Sequence, residues 1–357
     1  MMAKQLMKGN EAIAEGAVRA GCRFFAGYPI TPQTEILEYL SWRLPEVGGT
    51  FLQCESEIAG ISAVYGACAC GVRALASSSS PGFSLMQEGI SYIASAELPC
   101  VIVDVARYGS GLGDIFTGQS DYWQAVKNGG HSDYRCPVYA PSSVQEAADL
   151  VKLAFAKAEQ YKNPVIVLSD ASISQMMEPV EFSEFYEHDQ NKFDWALKGT
   201  IDGKFNLIAS TMYYIENYET YIRNKYDQIE KNEEMWEEVA TDDAKVILVA
   251  YGISSRIAKE AVTFGRQQGV AIGLIRPISL WPYPRKAFQH RPDVKAYISV
   301  EMSALGQMMD DIALACALKA DVYGFLTGSV VPDSLDIVTY AKQVLAGTVK
   351  EVYTASC

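Results

Sequence analysis

A chain of 357 residues with 49% hydrophobic content can bury ample core, and its length favours two domains over one. With 30 basic against 43 acidic residues the net charge is -13, which argues against nucleic acid and anionic membranes as partners. No apolar run is long enough to span a bilayer, Met1 to Asn10 is polar rather than a secretion signal, and free cysteines in a chain of this size point to a reducing, cytoplasmic setting.

In chain order, Phe24-Phe25-Ala26 is a short apolar run, Tyr28-Pro29-Ile30-Thr31-Pro32 a rigid loop, and Ile36 to Leu40 the start of an amphipathic helix. Pro29 and Pro32 fix their own φ and restrict the residue before them, so Thr31 has little freedom at the carboxyl end of a strand. By itself the pair reads as an N-cap threonine and a first helical proline. A hydroxyl beside free helix N–H groups also suits a small anion such as a substrate carboxylate. Phe51 to Gly60 predicts a second strand running into a helix with two carboxylates, Glu55 and Glu57, at its start. The helix dipole accounts for one acidic residue there, and two exceed what capping requires.

Ala74 to Phe83 predicts a third strand entering a small-residue loop that contains Ser78, followed by a helix through Ile93-Ala94. Pro99 to Ala106 is an apolar strand with Arg107 where it should end. Four strand ends therefore carry polar residues, and in an open α/β sheet ligands bind at those ends. Thr31, Glu57, the serine loop and Arg107 form one candidate site.

These residues carry a family resemblance. GNEA (Gly9 to Ala12), GYPITP (Gly27 to Pro32), Glu55-Ser56-Glu57-Ile58-Ala59, SPGFSLM (Ser80 to Met86), Pro141 to Glu146 and Arg276-Pro277-Ile278 resemble the alpha subunits of 2-oxoacid:ferredoxin oxidoreductases, which use thiamine diphosphate. The resemblance spans nearly the whole chain. It implies that Thr31 and Arg107 bind the 2-oxoacid carboxylate and that Pro29, Glu57 and Ser78 contact the cofactor. Glu57, or Glu55 if the local alignment slips, would be the catalytic carboxylate that hydrogen-bonds N1′ of the aminopyrimidine. The implied fold is α/β, a pyrimidine-type thiamine diphosphate-binding, doubly wound parallel sheet plus a transketolase C-terminal-like domain.

No Gly-Asp-Gly metal signature occurs, and the nearest text is Gly113-Asp114-Ile115. The diphosphate and its Mg2+ are therefore expected on a partner beta subunit, with no metal site on this chain. None of the eight cysteines forms a C-x-x-C repeat, so the 4Fe-4S clusters are expected on other chains, a gamma or ferredoxin-like subunit among them. Cys68-Ala69-Cys70 reads as small helical residues facing two directions. Ferredoxin, coenzyme A and a 2-oxoacid are the remaining partners that the resemblance implies. The opening residues Gly21 to Pro32 resemble 2-oxoglutarate-type subunits. Gln87 to Ala94, Ser120-Asp121-Tyr122 and Gly129 to Tyr134 look more like the branched-chain (2-oxoisovalerate) group, and that reading leads.

Three parts are expected: residues 1–185 as the pyrimidine-binding domain, 186–243 as a polar and aromatic linker, and 244–357 as the transketolase C-terminal-like domain. Within the linker, Tyr213 to Val239 reads as one long charged helix. Gly109 to Gly118 reads as a flexible segment able to close over the site. Trp281-Pro282-Tyr283-Pro284 reads as a rigid loop, and His131 as a structural loop histidine outside the catalytic set.

Overall fold

The computed structural model describes residues 4–199 and 206–353; Cys357 lies outside them. The strands are β1 (Gln5–Lys8), β2 (Phe24–Gly27), β3 (Thr50–Gln53), β4 (Ala74–Ser78), β5 (Cys100–Ala106), β6 (Val138–Tyr139), β7 (Pro164–Asp170), β8 (Met177–Val180), β9 (Trp236–Val239), β10 (Val246–Val249), β11 (Ile272–Pro277), β12 (Ser279–Trp281), β13 (Ala296–Glu301) and β14 (Asp321–Leu326). They form two main sheets.

The first has the order β12-β6-β7-β5-β4-β2-β3 and is parallel except at β12. Its central strands β4, β5 and β7 are buried along their whole length, the pattern of a parallel sheet covered by helices on both faces. Helices Glu57–Ala69 and Ser80–Ser95 run from the ends of β3 and β4, and Thr34–Glu46 follows the loop after β2. The carboxyl ends of β2, β3, β4 and β5 therefore sit side by side. Asp104 is a buried acid within the apolar run of β5.

The second sheet has the order β14-β13-β10-β11-β9, parallel except at β9, with helices Gly252–Gln267 and Ser334–Leu345 packed on it. A small antiparallel pair, β1 with β8, closes the far side of the chain's first helix, Gly9–Arg19.

Two expectations are corrected here. The long charged helix is Tyr218–Asn232 only, and Trp236–Val239 pairs as strand β9 with β11. The β-favouring Trp236 and Val239 at the two ends of Trp-Glu-Glu-Val suit a half-exposed edge strand once a partner strand is present. The Trp281 segment is not simply a loop, because Ser279–Trp281 is the β12 edge strand of the first sheet. The chain thus crosses between sheets at an edge: β11 belongs to the second sheet, and β12, which follows it directly, joins the first. Among the described residues, no helix is long and apolar enough to cross a membrane.

Candidate active site at the strand ends

The loop after β2 is pinned by amide side chains. Gln33 is buried; its Nε2 donates to Tyr28 O at 3.0 Å and its Oε1 accepts from Ser77 Oγ on β4 at 2.8 Å. Asn10 and Gln175 both donate to Pro32 O, at 2.6 and 2.9 Å, and both also reach the Glu35 carboxylate. Gln33, not Thr31, is the N-cap, and the helix begins at Thr34. Thr31 is therefore not a cap, and the first helical turn starts three residues beyond it. Its side chain is exposed, and its hydroxyl has no hydrogen-bond partner among the described residues. What stands beside it is a cation: Arg107 Nη1 donates to Thr31 O at 2.8 Å.

Arg107 is 6% exposed and follows β5 directly. Its Nη2 donates to Leu112 O, and its Nε has no partner. The bonds of its guanidinium go to main-chain carbonyls, and among the described residues no carboxylate forms an ion pair with it. A buried guanidinium left in that state favours an incoming carboxylate, whose charge and two oxygens match its fork. The Leu112 contact also places the Gly109 to Gly118 segment: it is folded down on Arg107, with Tyr108 N–H donating to Phe116 O at 3.0 Å.

Burial separates the two glutamates. Ser56 caps the helix, its Oγ accepting the Ala59 N–H at 3.3 Å; Glu57 is the first helical residue and 5% exposed, whereas Glu55 lies outside the helix and is exposed. Among the described residues, the one hydrogen bond to the Glu57 carboxylate is a long one, from Ser78 Oγ at 3.4 Å. Gly82, in the first turn of the next helix, makes this approach possible. A Cβ at Gly82 would overlap Ser78 Oγ and the Glu57 carboxylate, with the Glu57 carboxyl carbon at 2.8 Å. The carboxylate thus lies flat against a glycine, buried and with accepting capacity to spare. Pro29 is half-buried at the same strand-end edge.

Two further acids stand behind the arginine. Asp104 accepts the Ser80 N–H at 3.1 Å, while Ser80 Oγ donates to Asp121 and accepts the Arg107 N–H at 3.0 Å. Burial, then the neighbouring Asp121 charge, pushes Asp104 well above the usual carboxylate range. Burial raises Asp121 too, opposed by its bond from Ser80 and by the Arg107 charge.

Residues 15–243 match the family described as pyruvate flavodoxin/ferredoxin oxidoreductase, thiamine diphosphate-binding, and residues 244–331 match pyruvate:ferredoxin oxidoreductase core domain II. The chain belongs to the 2-oxoacid:ferredoxin oxidoreductases. It is 49% identical over 322 residues to the ketoisovalerate oxidoreductase subunit VorB of Methanothermobacter thermautotrophicus, covering 89% of this chain and 91% of that one. It is 36% identical over 348 residues to the 2-oxoglutarate synthase subunit KorA of Methanocaldococcus jannaschii, covering 90% and 94%. A solved structure, 2-oxoglutarate:ferredoxin oxidoreductase from Magnetococcus marinus with 2-oxoglutarate, coenzyme A and succinyl-CoA bound, superposes with a TM-score of 0.81 at 26% identity. The match covers 96% of this chain and 65% of that one. A split-gene transketolase, with a TM-score of 0.59 at 13% identity, shares the fold.

The resemblance carried by YPITP and its companions is borne out, with the branched-chain relative closer than the 2-oxoglutarate one. Glu57, buried in its glycine-lined cradle with accepting capacity to spare, is chemically suited to hydrogen-bond a ring nitrogen of a bound cofactor. Among the described residues, no cluster of three or more His, Cys, Asp or Glu could hold a metal ion. His131 is exposed. Gln33, Gln175 and Asp104 lie outside the site read from the sequence, whereas Ser80 belongs to its serine loop, and Asn10 and Asp121 fall in stretches of the family resemblance that carried no site role. An acid inside an otherwise apolar strand, Asp104 in CVIVDVA, is a local signal for the Ser80–Asp121 group.

Proposed function

We propose that this chain supplies the pyrimidine-side half of the active site in a CoA-dependent 2-oxoacid:ferredoxin oxidoreductase, with 3-methyl-2-oxobutanoate as substrate, acyl-CoA and carbon dioxide as products, and ferredoxin as electron acceptor. The observation that carries this reading is the buried Glu57 carboxylate, packed on Gly82 and nearly free of protein partners, on the same sheet edge as an arginine without an ion pair. Thiamine diphosphate, when bound, supplies a nucleophilic carbon and accommodates the electron pair left when the 2-oxoacid loses carbon dioxide. Glu57 would hold a proton on N1′ of its pyrimidine, Ser78 would keep that carboxylate oriented, and Pro29 would line the ring. Arg107 and the free Thr31 hydroxyl would hold the substrate carboxylate before it departs.

The diphosphate with its Mg2+, and the iron–sulfur clusters, fall to partner chains in this reading. Support comes from the apolar side chains left exposed around the site: Tyr28 and Leu52 at the ends of β2 and β3, Ile58 next to Glu57, and Leu85 on the helix that carries Gly82. The choice of a branched-chain acid rests on the higher identity to the ketoisovalerate relative and on Arg107, a buried guanidinium at the strand ends without an ion pair among the described residues. A second substrate carboxylate, as in 2-oxoglutarate, would require another cation.

Replacing Glu57 by Gln tests the role directly. Glu57→Gln is expected to cut viologen reduction in the assembled enzyme by roughly 10²-fold or more, with the subunits still assembled. Full turnover in that variant would instead indicate an assembly subunit that keeps the family's shape without its chemistry. A panel of 2-oxoacids tests specificity, and strict preference for 2-oxoglutarate would overturn the substrate assigned here.

A further inference from the structure

Arg107 opens an excursion of the chain that closes at Asp121. At its base Arg107 bridges Thr117 as an isolated antiparallel pair, and Ser80 Oγ ties the two ends together through the Arg107 N–H and the Asp121 carboxylate. The excursion is rich in small residues, Gly109, Ser110, Gly111 and Gly113, and has little stiffness of its own. Its direction is therefore set by its anchors.

The anchor on the return leg is Gln119, which is 1% exposed. All of its hydrogen bonds reach segments of the second sheet. Its N–H donates to Met302 O at 2.8 Å, and its Nε2 to Tyr251 O at 2.9 Å. Its Oε1 accepts from Ser254 Oγ at 2.8 Å and from Met302 N at 3.0 Å. Its carbonyl accepts from Tyr251 OH at 3.1 Å. Tyr251 and Ser254 follow β10, and Met302 follows β13. A buried amide satisfied on every side is a fixed point, because moving it strands several polar groups at once. By contrast, the Arg107 guanidinium is held by two carbonyls, one of which, Leu112 O, belongs to the excursion itself. Displacing the return leg would carry Leu112 O and the guanidinium with it.

We propose that Gln119 is a positioning residue for the substrate-binding arginine: through it, the segments following β10 and β13 fix the return leg of the excursion and so the direction in which Arg107 presents its guanidinium. This rests on the reading that Arg107 receives the 2-oxoacid carboxylate. It gives the second sheet a part in substrate binding through contacts made at Gln119. Displacements of about 1 Å at such a group cost on the order of 10²-fold in rate, so the latch has leverage.

The test is a double-mutant cycle in the assembled oxidoreductase. Gln119→Met keeps the side chain's length and removes its hydrogen bonds. It is expected to raise the KM for the 2-oxoacid about tenfold, while the KM for coenzyme A and the thiamine diphosphate content stay unchanged. Arg107→Lys is also expected to raise the 2-oxoacid KM, and adding Gln119→Met to it is expected to raise it no further. Additive effects, or a Gln119→Met enzyme that loses cofactor or Tm at unchanged 2-oxoacid KM, would overturn the proposal and leave Gln119 a purely structural residue. If Arg107→Lys leaves that KM untouched, the assignment of Arg107 itself falls and takes the proposal with it. Should Gln119→Met fail to assemble, Ser254→Ala, which removes a single bond to Oε1, carries the same prediction at smaller amplitude.

Discussion

At the scale of single residues, the site turns on where one carboxylate can lie. Glu55 and Glu57 are two residues apart and chemically alike, yet one is exposed and the other buried against Gly82 and Ser78. Gly82 is in a helix, where alanine ordinarily gains about 1 kcal/mol over glycine. Here the sign should invert. Gly82→Ala would push its methyl into the Glu57 carboxylate, so Tm is expected to fall rather than rise, and turnover to drop with it. A scan and a steady-state assay of the assembled enzyme would check both, and a more stable, fully active Gly82→Ala would contradict the packing described.

At the scale of elements, one carboxylate joins the starts of two helices. Asp170, at the end of β7, accepts the Ile173 N–H at 3.0 Å and the Ile253 N–H at 2.9 Å, so it caps helix Ala171–Gln175 and fastens the second sheet's Gly252–Gln267 helix to the first sheet. Gly252 sits at φ +57, and a Cβ there would come within 2.5 Å of Asp170 Oδ2, so this junction tolerates glycine alone. Asp170→Asn would turn an amide donor toward one of the two N–H groups. The expected cost is about 1–3 kcal/mol, read as a lowered urea midpoint. The edge strand β12 binds the two sheets in the same sense, following β11 of the second directly in the chain and bordering β6 of the first.

At the scale of the whole molecule, buried carboxylates set the response to pH. Burial pushes Glu301 up from 4.5 to about 7 and Asp170 up from 3.8 to about 6, against the hydrogen bonds each accepts. In both, the folded chain keeps a proton that the unfolded chain has already released. Their stabilising contribution is therefore complete below the unfolded values and is lost as the pH rises through about 6 and about 7. Glu35, Glu159, Glu178, Glu237 and Glu238 are shifted downward by their hydrogen-bond and ion-pair partners, net of burial, and act in the opposite sense at lower pH. Glu301 accepts from Ser299 Oγ and Met308 N, bonds that a glutamine oxygen can keep. Glu301→Gln is expected to flatten the decline in Tm between about pH 5 and about pH 8, each pKa unit being worth about 1.4 kcal/mol. An unchanged slope would mean that Glu301 does not titrate in that window.

The α/β class, the strands from Phe24 to Ala106 and the polar residues at their ends are legible along the chain, because alternation of apolar runs with helical periods and proline-fixed loops is a local signal. The sequence also carried the family, because short motifs such as YPITP survive as text. Tertiary structure alone decided what depends on residues far apart in the chain. It showed which glutamate is buried, that Trp236–Val239 is a strand needing β11 beside it, and that Ser279–Trp281 crosses back to the first sheet. It also showed that Gln119 answers to Tyr251, Ser254 and Met302. Burial and hydrogen-bond partnership are properties of pairs brought together by folding, and no window along the chain contains both members.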